Sequence, residues 1–165
     1  MATLPRDTER LGFRHLGEAD LDALVALYAD PEVVRFVGRY DRAQLREWLA
    51  ENRKEVETRG HGRIAIVSRP DGEFLGRTGL KRRAQFDEVE VDWSLAPAAR
   101  GRGIATEAAR AVLEWGFESL DVAYVTAMID PENQPSIAVA ERLGMTVLRR
   151  DELDGESLLV YSIAR

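Results

Sequence analysis

Residues 93–108 read Trp93-Ser-Leu-Ala-Pro-Ala-Ala-Arg-Gly-Arg-Gly-Ile-Ala-Thr-Glu-Ala108, and this stretch decides the fold of the chain. It predicts the end of a strand, a short loop with two glycines, and the start of a helix. Gly101 and Gly103 have no Cβ, so backbone N–H groups of the loop can approach an anion closely. The helix directs the positive end of its dipole to the same place. The stretch therefore predicts a pyrophosphate-binding loop, with Arg100 and Arg102 adding positive charge beside it.

This loop differs from two common phosphate-binding motifs. It lacks the Gly-Lys-Ser/Thr ending of the nucleotide-binding loop of kinases and ATPases. It is not Gly-x-Gly-x-x-Gly either, because the third glycine position is occupied by Thr106. Taken alone, the loop is equally well interpreted as an ordinary turn between a strand and a helix, with arginines at the surface.

The motif Arg100-x-x-Gly103-x-Ala105 resembles the acyl-CoA signature of the GNAT superfamily of N-acyltransferases. Other parts of the chain resemble the RimJ/RimL branch of that superfamily, so the resemblance spans nearly the whole chain. These parts are Arg10-Leu-Gly-Phe-Arg14, Glu18-Ala-Asp20, Asp30-Pro-Glu-Val33, Asp130-Pro-Glu-Asn-Gln-Pro-Ser136 and Ala140-Glu-Arg-Leu-Gly-Met145.

The resemblance implies an N-acetyltransferase that moves an acetyl group directly from acetyl-CoA to an acceptor amine. It implies pyrophosphate contacts from the loop, backbone contacts to the pantetheine arm from residues 93–95, and a pantetheine contact from Asn133, which is also a good turn residue after Pro131. The implied cofactor-binding residues are Trp93, Ser94, Leu95, Arg100, Gly101, Arg102, Gly103, Ile104, Ala105, Thr106 and Asn133.

The reaction needs a base, because an acceptor amine is mostly protonated at neutral pH. Glu88, Glu90 and Asp92 lie on one face of the predicted strand 88–95, where a solvated strand face would explain them equally well. Aligned through Gly103, the resemblance places the acid of this branch at Glu90. Asp92 is the second candidate for the base, and it could instead contact a cationic acceptor.

Ala140 stands where many members of the superfamily have a tyrosine that protonates the leaving thiolate. The resemblance offers Ser136 as the replacement acid, although Ser136 is an equally good N-cap of the following helix. A thiol with a pKa of about 8.5 is also an acceptable leaving group as its thiolate, without full protonation. The missing tyrosine supports one alternative function, that of a non-catalytic regulatory module that binds acyl-CoA.

In this fold the first two helices wall the acceptor site, which makes Tyr28, Phe36 and Tyr40 candidate acceptor contacts beside Asp92. The acceptor itself stays open between a protein N-terminus and a small-molecule amine such as a polyamine or an antibiotic. The pair Arg82-Arg83 is expected in a solvated loop, with contact to the adenosine phosphates as the other interpretation. His15 and His61 are expected at the surface or at the rim of the site.

Composition limits the function further. At 165 residues, with 45% apolar and 32% charged residues, the chain is expected to form one globular domain over residues 1–165. The start of the chain has no apolar signal segment and no run approaches a membrane span, so a cytoplasmic location is expected. The absence of cysteine and the presence of only two histidines argue against a metal site. A net charge of −6 disfavours a nucleic-acid binder and suits a cationic acceptor. The sequence leaves a homodimer open.

The pattern of apolar residues predicts an α/β fold with a mixed, mostly antiparallel sheet of about seven strands. The resemblance adds that strands four and five are splayed, and about four helices are expected to flank the sheet. Asp30 and Pro31 are expected to end the first helix. The predicted strands are 10–16, 63–68, 73–80, 88–95, 123–129, 146–150 and 157–163, and the predicted helices are 18–29, 42–58, 103–120 and 136–143.

Overall fold

A computed structural model describes residues 2–165 of the protein, and within them it has seven strands and five α-helices. The strands are β1 Leu11–His15, β2 Arg63–Ser68, β3 Phe74–Arg83, β4 Glu88–Leu95, β5 Tyr124–Ile129, β6 Thr146–Leu153 and β7 Glu156–Ala164. The helices are α1 Leu21–Leu27, α2 Pro31–Val37, α3 Arg42–Arg59, α4 Ile104–Ser119 and α5 Gln134–Arg142. None of these helices is long and apolar enough to cross a membrane.

The seven strands form one sheet in the order β1-β2-β3-β4-β5-β7-β6. All neighbours are antiparallel except β4 and β5, which run parallel and pair at a single position, Glu90 with Thr126. Beyond that position the two strands separate toward Leu95 and Ile129. The prediction of a mixed, mostly antiparallel sheet with splayed fourth and fifth strands is therefore confirmed. Separation leaves backbone N–H and C=O groups on the facing edges available for other partners.

Helix α2 was not predicted from the sequence. Asp30 and Pro31 were expected to end the first helix, but they also begin a second one. The Asp30 carboxylate accepts hydrogen bonds from the backbone N–H groups of Glu32 and Val33, at 3.1 and 3.4 Å. Pro31 is the first helical residue, a position where its fixed φ and missing N–H cost nothing. The helix count is therefore five rather than about four.

The two faces of the sheet carry different side chains. Val89 and Val91 of β4 belong to the larger core cluster, together with α4 and α5. Because side chains alternate along a strand, Glu90 and Asp92 lie on the opposite face. A smaller core cluster joins α1, α2 and α3 through residues such as Leu24 and Leu45. Between these two clusters, the face that carries the acids of β4 is left for a site.

Strand ends were less predictable than strand cores. Asp154 and Gly155 form the predicted two-residue hairpin turn with φ of 52° and 80°. The strands on both sides of it are longer than expected, as is β3, which extends to Arg83. These additions are mostly polar, so they carry no apolar alternation that could mark them as strand.

Candidate functional site

Two cavities meet where β4 and β5 separate. The first, the helix-side cavity, has a volume of about 1130 Å³ and is bordered by the loop before α4 and by α5. The second, the charged cavity, has a volume of about 750 Å³ and is bordered by α3 and the acids of β4. They share the lining residues Arg35, Phe36, Val37, Trp93, Ser94, Asn133 and Ser136. A ligand in the helix-side cavity can thus reach through the gap in the sheet to the other face.

The loop before α4 has the geometry of an anion-binding site. Gly101 and Gly103 both adopt left-handed backbone conformations, with φ of 71° and 74°. A Cβ added to Gly101 would meet no atom within 4 Å, so the space in front of the loop is open. Gly103 is the N-cap of α4, so the N–H groups of the first helical turn begin there. The hydroxyl of Thr106 is buried and has no hydrogen-bond partner among residues 2–165. These features fit the pyrophosphate of coenzyme A.

A brace from the start of the chain holds this loop. The Arg10 guanidinium donates to the backbone carbonyl of Arg102 at 2.9 Å and to the Glu107 carboxylate at 2.7 Å. Glu107 lies in the first turn of α4, so one arginine ties the loop to the helix that follows it. This role of Arg10 was not predicted from the sequence.

The two arginines of the loop have different surroundings. Arg102 is exposed and is not among the residues that line the helix-side cavity. Arg100 lines that cavity, but its guanidinium pairs with Asp30 at 2.7 Å and Glu32 at 3.1 Å. The other expected cofactor residues do line the helix-side cavity: Trp93, Ser94, Leu95, Gly101, Gly103, Ile104, Ala105, Thr106 and Asn133.

Glu90 lies in the wall of the charged cavity, at the position where β4 and β5 pair. Its residue exposure is 3%, and its carboxylate contacts the Arg83 guanidinium. Burial and the neighbouring Asp92 carboxylate raise the pKa of Glu90, and Arg83 only partly opposes them. Burial disfavours the ionised form because the carboxylate loses its hydration. A raised pKa brings this carboxyl closer to the range of a general base that works near neutral pH.

Asp92 has different chemistry although it lies two residues away on the same face. Its two oxygens accept from two buried guanidinium groups, Arg63 at 2.6 Å and Arg77 at 2.9 Å. Burial alone would raise the pKa of Asp92, but the two positive charges outweigh burial and lower the pKa to about 2. The carboxylate therefore stays ionised and fully engaged. Of the two carboxyl groups considered as the base, only Glu90 has a pKa shifted toward neutrality.

Ser136 is not the N-cap of α5, which corrects one interpretation of the sequence. The cap is Asn133, whose side-chain oxygen accepts a hydrogen bond from the backbone N–H of Ser136 at 3.3 Å. Ser136 therefore lies in the first turn of the helix. It lines both cavities, as does Asn133. A capping role therefore no longer explains Ser136. It does explain the side-chain oxygen of Asn133.

Aromatic residues form the α1–α3 side of the charged cavity. Tyr28 packs edge-on against Tyr40, with ring centroids 5.2 Å apart, and against Trp48 at 6.3 Å. The Tyr28 hydroxyl accepts a hydrogen bond from Arg77 at 2.8 Å. Phe36 lines both cavities from α2. The three aromatic residues expected at the acceptor site therefore do line one cavity together with Glu90 and Asp92.

Five basic side chains line the charged cavity, and none of them was among the predicted site residues: Arg35, Arg63, Arg77, Lys81 and Arg83. Arg83 belongs to β3 and contacts Glu90, so the expectation that it lies in a solvated loop is wrong. Arg77, Lys81 and Arg83 alternate along β3, which puts them on one face. This alternation of basic residues could have indicated a strand. It is easy to overlook, because strands are usually recognised by alternating apolar residues.

The two histidines differ in burial. His61 is buried, with Nδ1 3.2 Å from the carbonyl oxygen of Leu80, so its expected place at the surface or rim is wrong. The close packing of the segment before β2 against β3 explains this burial, because Gly62 and Gly79 bring the two backbones together. His15 is partly exposed. Residues 2–165 contain no group of three or more His, Asp and Glu side chains that could hold a metal ion.

Besides Glu90 and Asp92, a group of five carboxylate side chains lines the charged cavity, and four of the five are exposed. The group comes from three separate parts of the fold: α3, the end of β5 and the β6–β7 turn. No member of the group forms an ion pair with a basic side chain in residues 2–165, whereas Arg63, Arg77 and Arg83 of the same cavity are all paired. We call this group the acidic rim. Its members are Glu47, Glu51, Asp130, Asp154 and Glu156.

The sequence of this chain is similar to a known protein family and to characterised members of it. Residues 10–146 match the model of a family described as "Acetyltransferase (GNAT) domain". The chain is 31% identical over 152 residues to the spermidine N(1)-acetyltransferase of Escherichia coli strain K12, which covers 86% of this chain and 72% of that protein.

Solved structures give the same result for the fold. An acetyltransferase from Agrobacterium tumefaciens is 33% identical and superposes with a TM-score of 0.88, covering 100% of this chain and 96% of that one. RimL, a ribosomal L7/L12 N-acetyltransferase in complex with coenzyme A, superposes with a TM-score of 0.81 over 97% of both chains. At 17% identity, the similarity to RimL concerns the fold alone.

Proposed function

Because the chain belongs to the GNAT family of acetyltransferases, it transfers the acetyl group of acetyl-CoA to an amine, and we propose that the acceptor is a small amine with more than one positive charge. Family membership decides for an enzyme and against a non-catalytic acyl-CoA-binding module. The proposal for the acceptor goes further and depends on the charge of one cavity.

The acidic rim carries the proposal for the acceptor. Within residues 2–165, five carboxylates that line the charged cavity have no ion-pair partner, and Lys81 is the one basic side chain of its lining without such a partner. A negative potential raises the local concentration of a multiply charged amine and orients it toward the wall. One ammonium can then remain among the rim carboxylates while the other reaches Glu90. The similarity to a spermidine acetyltransferase supports the same class of acceptor.

We propose that the reaction takes place in the gap between β4 and β5. Acetyl-CoA, when bound, supplies the thioester that the amine attacks. Glu90 takes the proton of the acceptor ammonium, directly or through water, and backbone N–H groups at the separated end of β4 polarise the carbonyl oxygen. Ser136, which lines both cavities, donates a proton to the leaving sulfur. Asp92 keeps Arg63 and Arg77 in place and does not take part in proton transfer.

The acceptor is tested with a thiol-release assay on matched amines. We expect spermidine and a diamine to react with a lower KM than a neutral-tailed monoamine or a neutral peptide with a free N-terminus. Replacing two rim carboxylates in Glu47→Gln/Glu51→Gln should raise the KM for the diamine by roughly tenfold, since each exposed charge contributes up to about 1 kcal/mol. Added salt should raise it as well.

Glu57→Gln is the matched control, since Glu57 is exposed on the same helix outside the cavity. It should leave the KM unchanged. A preference for the N-terminal peptide, or a KM for the diamine that does not change in the rim variant, would contradict a small polyvalent amine as the acceptor and favour a protein N-terminus.

A further inference from the structure

The Asp30-Pro-Glu stretch has no part in the proposed chemistry, yet it meets the phosphate-binding loop through one side chain. The Arg100 guanidinium contacts Asp30 Oδ1 at 2.7 Å and Glu32 Oε2 at 3.1 Å. It also donates to the backbone carbonyl of Leu95, at the end of β4, at 3.1 Å. Arg100 therefore connects the last residue of β4 with the first turn of α2.

Asp30 has two functions at this junction. The same oxygen that accepts from Arg100 also caps α2. The Asp30 side chain is 14% exposed and the Arg100 side chain 30%, so the ion pair is better shielded from solvent than the exposed pairs of this protein. A shielded, charge-assisted hydrogen bond contributes more than an exposed one.

Helix α2 is placed where its position matters for both cavities. It has only seven residues, and Arg35, Phe36 and Val37 near its end line the helix-side cavity and the charged cavity alike. A helix of two turns has little stability of its own, so its position depends on contacts at its ends. Arg100 supplies such a contact at the N-terminal end.

We infer that Arg100 is a positioning residue that fixes α2 beside the gap between β4 and β5, and is not a ligand of the pyrophosphate. The inference rests on the proposed function, in which the charged cavity takes the acceptor. The loop that binds acetyl-CoA and the helix that walls the acceptor site are then joined by one side chain. Loss of Arg100 should affect the acceptor more than the cofactor.

The test uses three variants: Arg100→Gln, Asp30→Asn and the double variant that combines these two changes. Arg102→Gln is the control. Asparagine is a good N-cap, so Asp30→Asn keeps the cap and removes the charge that Arg100 binds. Three sets of quantities are measured: the acetyl-CoA Kd by calorimetry without acceptor, the acceptor KM and kcat, and hydrogen exchange of residues 32–37 in the free protein. The exchange measurement reports local opening of α2 and needs neither substrate.

For Arg100→Gln we expect an acceptor KM about tenfold higher, faster exchange in α2, and an acetyl-CoA Kd within about twofold of the parent. Asp30→Asn should act in the same direction, and the double variant should be little worse than Arg100→Gln, because both changes break one contact. Arg102→Gln removes the other arginine of the loop, which is exposed and lines neither cavity, so hydrogen exchange of residues 32–37 should stay at the parent rate.

Weaker acetyl-CoA binding in Arg100→Gln, with unchanged exchange in α2, would make Arg100 a phosphate ligand and overturn the inference. If Arg100→Gln does not fold, Asp30→Asn gives the same comparison. If no amine is acetylated by the parent protein, the proposal for the acceptor fails, but the Kd and the exchange rates still decide the role of Arg100.

Discussion

At the scale of single residues, the site depends on how two carboxylates of one strand are surrounded. Glu90 and Asp92 share a face of β4; Glu90 is buried, and the Asp92 side chain is 17% exposed. Two guanidinium groups hold Asp92 in its ionised form, while burial raises the pKa of Glu90. The difference in proton affinity comes from the neighbours on β2 and β3 and not from the residue types.

The role of Glu90 is tested by Glu90→Gln, which keeps the shape of the side chain and removes its basicity. We expect kcat to fall by about 100-fold or more, the usual loss when a general base is removed. The acetyl-CoA Kd should stay near the parent value, because Glu90 lines the charged cavity only. Calorimetry and thiol release measure the two quantities, and near-parent turnover would assign Glu90 to structure alone.

Arg83 should set the pH at which Glu90 works. Its positive charge lowers the pKa of Glu90 and partly offsets burial. Arg83→Gln should therefore raise that pKa further and move the acid limb of the pH–rate profile to higher pH, by about one pH unit. Arg82→Gln is the control, since Arg82 is the neighbouring residue on β3 and pairs with the exposed Asp87. A profile that moves equally in both variants would contradict a specific Arg83–Glu90 interaction.

At the scale of elements, we predict that the loop and first turn of α4 bind the pyrophosphate as one unit. Gly103→Glu would place a bulky anion at its centre. We expect acetyl-CoA to raise the melting temperature of the parent, because a ligand that binds only the native state stabilises it, and to lose that effect in the variant. Thermal unfolding with and without acetyl-CoA measures the shift.

Gly60→Glu controls for backbone strain. Gly60 has φ of 77°, close to the 74° of Gly103, and ends α3 away from both cavities. Both variants should lose stability from the left-handed backbone. Only Gly103→Glu should lose the increase in melting temperature with acetyl-CoA. A full increase in that variant would show that the pyrophosphate does not bind at this loop.

The boundaries of elements show why local signals were ambiguous. Asp30-Pro31 is both a strong end for one helix and a strong start for the next, and only the helix end was predicted. Asn133 and Ser136 are both good capping residues, three positions apart, and the structure uses Asn133. Propensity ranks such residues almost equally, so packing of the neighbouring helix decides between them.

At the scale of the whole molecule, the ion-pair network around Asp92 joins three strands of the sheet. It connects Arg63 of β2 and Arg77 of β3 to β4, and Arg77 continues to Tyr28 after α1. Both arginines are nearly inaccessible, with exposures of 8% and 3%. The network therefore links the sheet to the helices that wall the charged cavity.

Asp92→Asn should destabilise the fold by about 3 kcal/mol, because it leaves two buried guanidinium groups without their counter-charge. Glu18→Gln, which removes the exposed pair with Arg46, should cost about 0.5 kcal/mol or less. Denaturant unfolding at pH 7 measures both free energies of unfolding. Equal small losses in the two variants would show that water screens the Asp92 network.

The same comparison has a pH dependence. The pKa of Asp92 is lowered in the folded state, from 3.8 to about 2. A lowered acid pKa contributes stability that is present above the unfolded pKa and is lost as pH falls through the folded one. The stability difference between the parent and Asp92→Asn should therefore shrink between about pH 4 and pH 2, which unfolding series across that range would measure.

Much of the fold could be predicted along the chain. The loop of residues 100–103, the hairpin turn at Asp154-Gly155 and strands β2 and β4 depend on local chemistry: glycines that permit left-handed conformations and apolar residues that alternate. Most of the residues predicted to bind the cofactor lie close together along the chain, within residues 93–106, and line the helix-side cavity.

The sequence by itself determined the fold class, the family and the loop that suits coenzyme A, because each depends on short patterns of neighbouring residues. Only the tertiary structure decided which carboxylate has a raised pKa, what Arg100 binds, and where Arg63, Arg77 and Arg83 lie. These depend on residues 7 to 70 positions apart that the sheet brings within hydrogen-bond distance. Charge and burial act through space, so the burial that raises the pKa of Glu90 cannot be deduced from the residues next to it in the sequence.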